Sequence, residues 1–216
     1  MNPVLALIKK DITQEWRQRY AINGIVLHTV SSAMVVFLSV KVLGAPAWNA
    51  VYWIVLLFAS VSAVAKSFVS ETSGRQLYYY GIVSAQQLIV SKLIYNAVLT
   101  SLLALLCLLT YGIFLGFPVQ NPLYFILIVV LGSTGFSSTF TVLSSIAAKS
   151  GNGNLLMPVL SFPVIIPLLL VAIKASKKAV DGIDVSFLTK DLLVLLALNG
   201  LITVLAYILF PFLWKD

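Results

Sequence analysis

Charge is scarce in this sequence. Of its 216 residues only 10% are Asp, Glu, Lys or Arg, while 60% are hydrophobic. Soluble domains carry about 25% charge, so a soluble globular fold is excluded and an integral membrane protein is expected. Histidine is nearly absent: with His28 alone, no multi-histidine zinc site such as H-E-x-x-H exists, and no metal centre is expected. The single cysteine, Cys107, allows neither an internal disulfide nor a C-x-x-C-H haem attachment, so no covalently bound cofactor is expected. No lysine follows a glycine, which removes the P-loop G-x-x-x-x-G-K-[ST]. The seven acids are Asp11, Glu15, Glu71, Asp181, Asp184, Asp191 and Asp216, and none is expected near a span centre. That argues against a proton relay or an intramembrane hydrolase, which need buried ionisable groups. A cleavable signal peptide is also missing from the pattern, so the first span is expected to serve as its own targeting signal.

What is present is a series of long apolar runs. A membrane barrel would show short alternating segments instead, so the fold class is all-α. About twenty apolar residues cross the hydrocarbon as a helix, and six windows qualify: 21–43, 47–65, 93–115, 122–147, 155–173 and 192–214. Residues 1–216 form one transmembrane domain. Before the first span, Val4, Leu5, Ile8, Ile12 and Trp16 recur at helical spacing, with Lys9, Lys10, Arg17 and Arg19 on the remaining surface. This predicts an amphipathic helix lying in the headgroup layer.

The net charge of +7 resides in residues that flank the spans rather than in a soluble basic module, so lipid headgroups, not nucleic acid, are the expected partner. Placing the N-terminus inside puts Lys9, Lys10, Arg17, Arg19, Lys66, Arg75, Lys92, Lys149 and Lys215 on the cytoplasmic side. Lys41, Lys174, Lys177, Lys178 and Lys190 fall on the other. The excess favours an N-in, C-in topology.

Several features are read two ways. His28 lies inside the first span, as a haem or substrate contact or as an imidazole bonded to a neighbouring helix near the interface. The fourth span holds Gly132, Ser133, Thr134, Gly135, Ser137, Ser138 and Thr139, which suit close helix packing more than a substrate path or dimer seam. Pro158, Pro163 and Pro167 should kink or interrupt the fifth span, as a static bend or a moving, gating element. Lys174–Lys190 reads as the largest outer segment, solvated or attracting an anionic ligand. Trp48, Tyr52, Trp53, Tyr78, Tyr79, Tyr80 and Trp214 fit interfacial aromatic belts. The stretch 66–92 is too long for a plain connector, and its Leu77, Tyr78, Tyr80, Ile82, Val83, Leu88 and Ile89 need burial. It is either an amphipathic helix pair on the membrane or a docking surface for a soluble subunit.

Six spans, an amphipathic N-terminal helix and a structured loop after span two resemble exporter permeases of the ABC-2 kind. Within that group the chain is similar to heme exporter protein B, the CcmB-type permease of cytochrome c maturation. The likeness is carried by Phe68, Glu71, Gly74, Leu77 and Lys92 in the loop. A second patch comprises Lys149, Ser150 and Gly151, then Leu155 and the run from Pro163 to Pro167.

The resemblance implies a transporter subunit rather than an enzyme, in the inner membrane of a bacterium. A cytoplasmic ABC ATPase subunit would bind ATP, a second copy of the permease would complete the transporter, and haem would be the substrate. Haem-handling membrane proteins and a haem chaperone would be partners. It also implies that the 66–92 loop couples to the ATPase through Phe68, Glu71, Gly74, Arg75, Leu77 and Lys92. Rival readings are an ABC-2 exporter of lipid, glycan or drug, and a scaffold for haem-handling proteins that transports nothing.

Overall fold

The computed structural model describes residues 3–17, 19–40, 43–69, 83–149, 153–183 and 185–215. Among them all regular structure is helical: α1 (Pro3–Arg17), α2 (Arg19–Ser39), α3 (Ala45–Val64), the single turn α4 (Lys66–Val69), α5 (Ala85–Leu115), α6 (Pro122–Lys149), α7 (Gly153–Val180) and α8 (Val185–Lys215). Local sequence sets several of these boundaries. Extended Gly44 caps α3, with Pro46 in the first turn, where a missing N–H is harmless. Ser84 caps α5 with a full capping box, its hydroxyl accepting from Gln87 N–H while the Gln87 side chain accepts from Ser84 N–H. At the far end of α5, Gly116 takes a left-handed φ of 76° that stops the helix.

Among the described residues, five helices are long and apolar enough to cross a membrane: α3, α5, α6, α7 and α8. The expected first span corresponds to α2, whose apolar part is the shorter stretch Val26–Ser39. Helix α6 sits at the centre, touching α3, α4, α5, α7 and α8. Its apolar window is 67% buried against 11% for α8, which makes α8 peripheral. In hydrocarbon no hydrophobic force drives helices together, so small side chains and hydrogen bonds must do so. A Cβ on Gly132 would lie 2.5 Å from Cη2 of Trp53, and one on Gly135 would lie 2.7 Å from Cδ2 of Leu168. The packing reading of the glycine and hydroxyl stripe therefore holds. Helix α8 is hooked on by Asn199, whose Nδ2 donates to Leu131 O at 3.0 Å. Its Oδ1 accepts from Thr134 Oγ1 at 3.3 Å.

Four expectations change. Helix α7 is unbroken through its three prolines, so the expected interruption is absent. Pro163 and Pro167 stand on its exposed side, and packing against α6 and α8 holds the helix. Lys174, Lys177 and Lys178 belong to the last turns of α7 rather than to a loop, and Lys178 pairs with Asp191 of α8 at 2.7 Å. The connection shrinks to the turn around Gly182, φ 72°, over which residues 120–121 fold by hydrogen bonds to Val180 O and Ala179 O. Lys92 lies in α5, which begins well before the expected span. Finally, Trp48, Tyr52 and Trp53 form no interfacial belt. All three are fully buried in the bundle core: Trp48 stacks on Tyr52, and the group meets Tyr111 and Phe136 edge-on and Phe125 at a tilt. Tyr52 donates to Ala104 O and Trp53 Nε1 to Ser176 Oγ, so these two polar tips find partners inside the protein, whereas Trp48 Nε1 is buried with none among the described residues.

Candidate functional site

The face that carries α1 assembles a second, smaller core. Leu7 of α1, Phe68 of α4, Ala85, Leu88, Ile89 and Leu93 of α5, and Ala206 and Phe210 of α8 pack together. Helix α1 is two-sided in an unexpected sense. Leu7 and Asp11, one turn apart, face α5, whereas Leu5, Ile12 and Trp16 of the apolar stripe are turned outward.

Charge sits inside this core. Lys92 Nζ lies 3.3 Å from Asp11 Oδ1, and the two residues are 4% and 7% exposed. Lys10 Nζ approaches the same oxygen at 3.0 Å, while Asp11 Oδ2 is buried without a hydrogen-bond partner among the described residues. The ammonium of Lys92 also stands over the Phe68 ring, 5.7 Å from its centroid, and Phe68 packs on Phe210 at 5.5 Å. A cation over an aromatic face gains electrostatic attraction, more so where water is excluded. Beside the pair, Tyr95 hydrogen-bonds to Glu15.

A polar ladder continues inward and fixes α4. Asn96 Nδ2 donates to Ser67 Oγ and Thr141 Oγ1, both at 2.9 Å, and Ser144 Oγ donates to Ala65 O at 3.1 Å. The chain leading into residues 70–82 is thus tied to α5 and α6, and the chain leading out is fixed by the Ser84 cap.

Of the residues singled out from sequence, Phe68 and Lys92 come together here. Glu71, Gly74, Arg75 and Leu77 lie outside the described residues. Pro158, Pro163 and Pro167 are on α7 and are not members of this cluster. His28 lies on the exposed side of α2. Sequence reasoning missed Asp11, Ser67 and Asn96. One signal was available: Asp11 follows Leu7 by one turn, along the edge of the apolar stripe.

A family model described as CcmB protein matches residues 2–213. Comparison with curated proteins gives no match.

Proposed function

The chain belongs to the CcmB family, that of heme exporter protein B, and we propose that it is the membrane permease subunit of an ABC exporter that delivers haem for c-type cytochrome assembly. ATP binds and is hydrolysed on a separate cytoplasmic subunit, since this chain has no P-loop. Helix α2 is the sixth span, both termini face the cytoplasm, and the setting is a bacterial inner membrane. A second copy completes the transporter, with haem-handling membrane proteins and a haem chaperone beside it.

The observation that supports this reading best is the anchoring of the chain on either side of residues 70–82. Closure of the ATPase presses on Glu71, Gly74, Arg75 and Leu77. Differential contact with the two motor states biases the bundle between two packings, with the Phe68–Lys92–Asp11 junction as the point of transfer.

The test is a haem stain for covalent c-type cytochromes in cells lacking the gene. All bands should vanish and return with the wild-type gene. A Glu71→Ala, Arg75→Ala double variant, present in the membrane at normal level, should leave them at background. Normal bands in the deletion strain overturn the cytochrome role. Full restoration by the double variant overturns the coupling assignment alone.

A further inference from the structure

Helix α6 carries a hydroxyl in every turn along one row: Ser133, Ser137, Thr141 and Ser145, four residues apart and all buried. Rows of i, i+4 side chains are the ridges that seat in the grooves of a neighbouring helix. The facing row of α5 is Lys92, Asn96, Thr100 and Ala104, also buried. The two helices run antiparallel. Asn96 Nδ2 donates to Thr141 Oγ1 at 2.9 Å, the Ser101 and Ser133 hydroxyls lie 3.4 Å apart, and Thr100 Oγ1 reaches Ser133 O at 3.3 Å. One rung of this ladder is idle: Ser137 Oγ is fully buried and has no hydrogen-bond partner among the described residues. A second rung is spare. Ser145 Oγ donates to Val142 O of its own helix, which leaves its lone pairs able to accept.

We propose that α5 has a second register on α6, displaced by one helical turn, about 5.4 Å, toward its own N-terminal end. Because the rungs repeat at each turn, the shift exchanges partners instead of losing them. Asn96 passes from Thr141 to Ser145, and Ser101 passes from Ser133 to the idle Ser137. The opposite shift fails, since it carries Ser101 to Val129. Helix α3 stays with α6 through the bond from Ser144 to Ala65 O, so Tyr52 exchanges Ala104 O for Leu108 O, the carbonyl of the next turn. The shift gives up the bond from Asn96 to Ser67 of α4. Single hydrogen bonds between membrane helices are weak, and trading them nearly one for one keeps the two registers close in energy, as a bistable element requires. Helix α5 begins just after segment 70–82 and holds Lys92, whose pairing with Asp11 makes α1 travel with it. The inference deepens the coupling reading above, on which it rests for its motor. It supplies the second packing that movement of the segment selects, and it is independent of the cargo.

The test is cysteine cross-linking of the full chain in cells, in a Cys107→Ala background that removes the one native cysteine. Ser101→Cys is combined in turn with Val129→Cys, Ser133→Cys and Ser137→Cys, and each pair is oxidised with copper phenanthroline. A disulfide needs Cα atoms within about 7 Å, so each pair favours one register. The 101–133 pair should form in energised and in ATP-depleted cells alike. The 101–137 pair should form severalfold more than 101–129 in energised cells and fall on ATP depletion. Ser145→Ala removes the partner that waits for Asn96, so it should lower the 101–137 band severalfold and leave 101–133 unchanged. A 101–137 band no stronger than 101–129, or one indifferent to Ser145→Ala, overturns the second register whatever the haem stain shows. A 101–137 band that passes both tests but ignores ATP keeps the second register and overturns its link to the motor.

Discussion

At the scale of the residue, the junction between Asp11 and Lys92 is the most consequential contact in the chain. Two opposite charges taken from water lose solvation that their attraction only partly returns, so the pair is a device of position more than of stability. Removing one member leaves a buried charge, at about 3–5 kcal/mol. The two removals should differ. Lys92→Met leaves Asp11 beside Lys10 at 3.0 Å, whereas Asp11→Leu deprives both ammonium groups of this carboxylate. Thermal unfolding of the detergent-purified chain should therefore rank Asp11→Leu as the more damaging. The double variant Asp11→Leu, Lys92→Met should be milder than the sum, because apolar replacement of a whole buried pair is often neutral. Additive losses would mean that the two charges do not act as a pair.

At the scale of the element, the positions of the helices were legible from apolar run lengths, but their ends were not. A span written from hydropathy stops where charge begins, as at Lys92 and Lys174, yet the backbone ladder continues once a partner such as Asp11 or a turn such as Gly182 receives the end. The cap that starts α5 was readable, since Ser84 and Gln87 have capping-box spacing. The direction each face looks was not. Trp48, Tyr52 and Trp53 resemble belt residues in sequence, and only the partners supplied by α5, α6 and α7 pull them inside. The contact of α3 with α6 yields a sharp expectation. Trp53 is held by Ser176 and cannot retreat, so Gly132→Ala should destabilise by about 1–3 kcal/mol. Trp53→Phe in the same chain should recover part of it. The readout is the detergent melting temperature, and an unshifted value for Gly132→Ala would refute the close approach.

At the scale of the whole molecule, the bundle has a well-buried centre in α6 and a loosely held margin in α8. The membrane class followed from composition. The site did not, because it is formed by residues from α1, α4, α5 and α8, and no sequence spacing links Leu7 to Phe210. Asn199 decides how firmly α8 is held. Interhelical hydrogen bonds in membranes are worth about 0.6–1.7 kcal/mol, and Asn199→Leu removes the hook to Leu131 O and Thr134. Protease digestion in detergent should cut the turn before α8 severalfold faster in that variant, with α3 and α5–α7 remaining protected; equal rates would show that apolar packing alone suffices. The hook also bears on biogenesis. Thr134 and Asn199 are 65 residues apart, so a ribosome adding about 5–20 residues per second delivers one roughly 3–13 s after the other. During that interval the groove of α6 shows the Thr134 hydroxyl and the Leu131 carbonyl to lipid, and a nascent chain stalled before residue 199 would offer the membrane's quality-control proteases an unsealed polar site.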